Sequence, residues 1–213
     1  MTEKSIDIRY HFITEDDHHF DYTLQLDPVT LAHRNPPPAF PPQWAKMIGG
    51  KCSPCTLDHG FAPYCPAALS IVEVVESCGD LLSYTEVDVT VEVGGRTISK
   101  HTTVQKAISS LLGVHIATSG CPSMTLFKPM ARFHQPFATQ EETLFRVASS
   151  YMLAQYYIHK DGQDHDMNFD GLFEAYEKVH EVNMHLAEMM RDVSNGDANI
   201  NALVLLDVFA VTF

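Results

Sequence analysis

The stretch that most constrains the fold is Glu86 to Val93, where Val87, Val89, Val91 and Val93 alternate with Glu86, Asp88, Thr90 and Glu92. A period of two is that of a strand with one dry face and one wet face. Gly94-Gly95 follows, a pair able to take the positive φ of a tight hairpin turn, and Arg96 to Lys100 returns as the partner strand. The acidic outer face reads as a solvated sheet surface. A second hairpin is expected nearer the start, with Ser5 to Ile13 and His19 to Asp27 flanking the polar turn Glu15-Asp16-Asp17 and with Tyr22, Leu24 and Leu26 alternating.

Between the hairpins the pattern changes twice. From Arg34 to Gly50 the run NPPPAFPPQW is too rich in proline for a helix or a central strand, so an extended arm anchored by Trp44 is expected. Ala67 to Cys78 then spaces Leu69, Val72 and Val75 at helical intervals, and Gly79 supplies a stop.

Beyond Thr102 the periodicity is helical. Val104, Ala107, Ile108, Leu111 and Leu112 form one stripe ending near Gly120. Thr139 to Glu142 has the spacing of a capping box, with Leu144, Val147, Ala148, Tyr151 and Met152 expected on the buried face that follows. A long helix is predicted from Asp170 to Val193, its stripe running Leu172, Tyr176, Val179, Asn183, Leu186 and Met190. The apolar tail from Ala202 to Phe213 fits either helix or strand. The fold class that follows is α+β: two N-terminal β-hairpins forming a small antiparallel sheet, followed by a C-terminal helical bundle. One domain is expected over 1–213, mainly β over 1–102 with the arm and a cysteine loop, and mainly helical over 103–213.

Composition narrows the function classes. With 14 Lys+Arg against 27 Asp+Glu the formal charge is -13, which opposes the counterion release that drives nucleic-acid affinity. Nucleic acid and anionic membrane surfaces are therefore poor partners. No signal-peptide core is seen in MTEKSIDIRYHF, and the C-terminal apolar run is too short to span a bilayer, so a cytoplasmic location is expected. Five cysteines in such a chain point to metal binding or thiol chemistry before disulfides.

Those cysteines cluster. The loop KCSPCTLDHGFAPYCP sets Cys52 and Cys55 in a C-x-x-C knuckle, a spacing that lets the backbone turn and aim both sulfurs at one ion, with Cys65 ten residues later. Cys121, in TSGCPSM, shares with Cys65 a following proline, which favours the first position of a helix. Each cysteine would then sit at a helix start, where free N–H groups favour thiolate. Cys52, Cys55, Cys65 and Cys121 are therefore the candidate ligands of zinc or of an iron-sulfur cluster, since Cys-Pro also recurs at cluster ligands. His59 is a substitute ligand of lower rank, and Cys78 reads as inert packing.

A second polar cluster, LFKPMARFHQPFAT, sets Lys128, Arg132 and His134 among Phe127, Met130, Phe133 and Phe137. These groups could grip a small anionic ligand, or His134 could serve Cys121 as general base in a cysteine-dependent enzyme. The plainer reading has Arg132 and His134 hydrogen-bonding backbone to fix the loop. A further alternative is a metal-free interaction module, in which the Pro-rich arm and acidic sheet face meet a protein partner or a second copy. Glu177 and His180 have Glu-x-x-His spacing, but no second such pair completes a di-iron site.

The chain resembles a bacterial family of unknown function, marked by a C-x-x-C loop closing in Cys-Pro-Ala-Ala and by ATSGCP followed by KPMARFH and PFAT. The matching residues are Cys52, Cys55, Cys65 to Ala68, Ala117 to Pro122, Lys128 to His134 and Pro136 to Thr139. The resemblance implies no activity. It implies that the cysteine loop and the ARFH segment belong to one site.

Overall fold

In the computed structural model, residues 4–47, 52–58, 60, 63–191, 193 and 196–211 are described. Strand β1 (Ile6–Thr14) pairs antiparallel with β2 (His19–Leu26), and β3 (Glu86–Val93) with β4 (Arg96–Thr103). The two hairpins join through β1 and β3, giving the antiparallel order β2-β1-β3-β4. Gly94 and Gly95, at φ 56° and 73°, make the turn that the sequence predicts. The valines of β3 face the core beside Ile8, Tyr10 and Phe12 of β1 and Leu24 of β2. The outer face is less acidic than β3 alone suggests. Arg9 pairs with Glu92 at 3.5 Å, and His101 pairs with Asp88 at 2.9 Å and Glu86 at 3.4 Å.

Helices cover the inner face of this sheet, so the class is α+β as read from the pattern. Helix α1 (Pro66–Ser77) lies between the hairpins in the chain, and α2 (Val104–Thr118) follows β4 directly. Pro122–Phe127 is a 3₁₀ stretch leading into the short α3 (Lys128–Arg132). The remaining helices are α4 (Gln140–Lys160), α5 (Asp170–Met190) and α6 (Ala198–Val211). The apolar tail is thus helical over its described part. Helix α2 touches the sheet, α1, α3 and α6, and α6 lies along α5. Buried side chains from the sheet and these helices form one continuous cluster.

The stripe read for α5 is buried at Leu172, Tyr176, Asn183, Leu186 and Met190. That read for α4 is not, since only Val147 and Tyr151 are buried and Leu144 is exposed. Helix α4 packs mainly on the short α3, so little surface faces its apolar side. The Pro-rich arm lies extended beside β2, with Asn35 Oδ1 accepting from the Gln25 N–H at 2.7 Å and its amide donating to the Thr23 carbonyl at 2.7 Å. Trp44, in a 3₁₀ turn, packs half-buried on the core.

Candidate functional site: a corner of four thiols

Three separate segments carry the four cysteines of interest. Cys52 and Cys55 belong to a tight turn in which the Cys55 N–H donates to the Cys52 carbonyl at 2.9 Å. Cys65 is the N-cap of α1 with Pro66 behind it, and its N–H donates to the Ala45 carbonyl at 2.9 Å, tying the arm to the helix start. Cys121 is the N-cap of the 3₁₀ stretch with Pro122 behind it, just past Gly120, whose φ of 89° ends α2. The Cys-Pro dipeptides therefore do what the sequence predicts, with the second starting a 3₁₀ stretch before α3.

The four thiols sense one another. Burial first, and then the neighbouring Cys55, Cys121 and Cys65, push the Cys52 thiol up to about 12. Cys65 is raised by burial and by Cys55. Cys121 is raised by burial and by Cys65 and Cys55. Every pairing among the four is thus felt electrostatically. Neither N-cap sulfur completes a cap hydrogen bond, yet the N–H groups of Ala67 and Ala68 face Cys65, and those of Ser123 and Met124 face Cys121. Those amides oppose the rise, as helix starts do for a thiolate. Cys78 stands apart, buried, with the Tyr22 hydroxyl 3.3 Å from its sulfur.

All five cysteines are free thiols. Among the described residues, no group of three or more His, Cys, Asp or Glu side chains is drawn tightly enough to hold a metal ion as it stands. The corner is a gathering of thiols and not a closed shell. His59 lies outside the described residues.

The ARFH segment is engaged elsewhere. An Arg132 guanidinium N–H donates to the Pro28 carbonyl at 3.2 Å, the backbone-fixing role that is the plainer reading. Lys128 opens α3. His134 is half-buried, with Nε2 2.6 Å from the Tyr10 hydroxyl, which is itself 2.9 Å from Ser110 Oγ. Burial, with Arg146 and His115 nearby, drives the His134 pKa down to about 3. No contact between His134 and Cys121 is found among the described residues. His180 pairs with Asp207, its Nδ1 2.9 Å from both carboxylate oxygens, so its partner is not Glu177. A feature missed from sequence is the pair of the half-buried His33 and the buried His115, with rings 5.6 Å apart; only position in the fold, not spacing in the chain, brings them together.

Comparison with known proteins adds one relation. The chain belongs to the family described as a domain of unknown function (DUF6901), matched over residues 8–213. No curated protein and no solved structure matches it. Among the described residues no helix is long and apolar enough to cross a membrane.

Proposed function

We propose that this member of a family without an assigned role is a metal-binding protein in which Cys52, Cys55, Cys65 and Cys121 hold zinc or an iron-sulfur centre. The observation that supports this is that three separate segments bring Cys52, Cys55, Cys65 and Cys121 to one corner, where Cys55 bears on Cys52, Cys65 and Cys121, and Cys65 on Cys52 and Cys121. Burial favours the protonated thiol at Cys52, Cys65 and Cys121. A cation reverses that preference and deprotonates its ligands outright. The donor set is all sulfur, which suits zinc and iron-sulfur centres over calcium or magnesium.

The centre is structural. Four thiolates leave zinc no open position for substrate. Binding would fasten the turn at Cys52 and Cys55 to the start of α1 and to the segment after α2, stretches with little regular structure of their own. The amides facing Cys65 and Cys121 would stabilise the thiolates there. Closing the shell draws the four sulfurs inward from their present spacing.

Alkylation followed by mass spectrometry tests the reading on protein purified without oxygen. Cys52, Cys55, Cys65 and Cys121 should resist iodoacetamide together near neutral pH and become reactive together after chelation. Cys78 should stay slow in both conditions because it is buried. Immediate labelling of the half-buried Cys52 and Cys55 in the native protein contradicts the reading.

A further inference from the structure

Helix α2 also floors a groove of about 450 Å³, walled by the 134–139 segment, α4, α5 and α6. It runs from Lys106 in the first turn of α2 to Ala117 in the last, about 16 Å at 1.5 Å per residue. Its far half is apolar, lined by Met124, Phe127 and Phe209.

Three observations point to the chemistry of an occupant. The charged side chains that line the groove are Lys100, Lys106 and Arg146, all cations, in a chain whose net charge is -13. Lys100 and Lys106 are exposed, and neither has a carboxylate partner among the described residues. Second, Asn183 on the α5 wall is only 3% exposed, and its Nδ2 amide has no acceptor. A buried donor left unpaired costs about 1–3 kcal/mol, which an acceptor on a ligand would recover.

The third is the proton arrangement at His134. The Phe137 N–H donates to Ser110 Oγ at 3.1 Å, and the Tyr10 hydroxyl lies 2.9 Å from Ser110 Oγ and 2.6 Å from His134 Nε2. With Tyr10 as donor to Nε2, the neutral imidazole carries its proton on Nδ1. That N–H has no protein acceptor among the described residues, and His134 lines the groove.

We infer that the groove binds an aliphatic carboxylate of about ten carbons, a size set by its volume, with the head near His134, Asn183 and the cationic rim and the chain along the far half of α2. The carboxylate accepts from the unpartnered Asn183 Nδ2, and from His134 when Nδ1 carries the proton, and is neutralised by the lysines. The apolar tail leaves water for a wall made mostly of apolar side chains and the Tyr176 ring. The inference is independent of the thiol corner.

Calorimetric titration of the full chain with decanoate, decanol and decylammonium tests it, alongside the exposed-rim variant Lys100→Glu/Lys106→Glu. Decanoate should bind about tenfold or more tighter than decanol, with decylammonium weakest. The rim variant should lose about tenfold for decanoate and nothing for decanol, and added salt should narrow the gap. Equal affinity for the three ligands, no decanoate binding, or a rim variant indistinguishable from the parent overturns the inference. So does sedimentation showing a dimer that the rim variant dissociates, since the groove would then be a subunit contact.

Discussion

The thiol corner and helix α4 are ordered by opposite means. Around the corner the chain is irregular, with one turn at Cys52 and two proline-fixed starts at Cys65 and Cys121, whose thiols lie against the edge of the apolar core. Helix α4 is regular for 21 residues and opens with a complete capping box, Thr139 with Glu142, but leaves Leu144, Phe145, Leu153, Tyr156 and Tyr157 exposed. Its regular hydrogen bonding is supported by a few anchors, the buried Val147 and Tyr151 and the Arg146 hydrogen bonds to the Met130 and Phe133 carbonyls. The corner has no such internal source of order, so its stability should depend on what the sulfurs hold. Between the two lies a core in which buried polar groups are mostly paired.

The largest effect should come from the corner. A Cys52→Ser/Cys55→Ser variant should lower Tm by well over about 5 °C, because even that shift is roughly 1–2 kcal/mol at this size and a structural thiolate site contributes more. An unchanged thermal transition would make the corner as self-sufficient as α4 and break the contrast.

Next comes the buried His115, beside the half-buried His33. Burial first, then His33, holds the folded-state pKa of His115 at about 4, below the ordinary 6.5. The unfolded chain therefore takes up that proton first, and stability falls from about pH 6.5 down to about 4, by about 3 kcal/mol in all. Urea midpoints across that window should decline less steeply for His115→Gln, and parallel profiles would show that the core does not carry the acid sensitivity.

Smaller still is Gly196→Ala, for which a loss of about 1–3 kcal/mol is expected. The Gly196 N–H donates to the Gly79 carbonyl at 2.6 Å, and a methyl at this position would meet the Leu81 carbonyl. Chemical denaturation reads it directly, and a neutral result would mean that the 79–81 segment yields. Thr139→Ala should cost least, about 1 kcal/mol, felt mainly as faster amide exchange in the first turns of α4. Exchange that quickens across the whole core would show that α4 is better supported than its exposure indicates.

Much of this was legible beforehand because it is local. Alternation at Val87 to Val93 with two glycines fixes a hairpin, Thr139 and Glu142 fix a helix start, and proline after Cys65 and Cys121 fixes two more. What was not legible depends on partners distant in the chain. The apolar spacing of α4 matches that of α5, but only α5 has a long helix, α6, lying against it. Lys100, Lys106 and Arg146 are unremarkable singly and become a cationic rim only when β4, α2 and α4 meet at the groove. Arg132 and His134, which stand out in sequence, are occupied by Pro28 and Tyr10.

Metal content measured on protein purified without oxygen tests the central claim most directly. The account predicts about one equivalent of zinc per chain, or iron with matching sulfide and a coloured protein, lost in parallel when Cys121 is replaced by serine. Colourless protein with less than about 0.2 equivalents of zinc and iron together would contradict it.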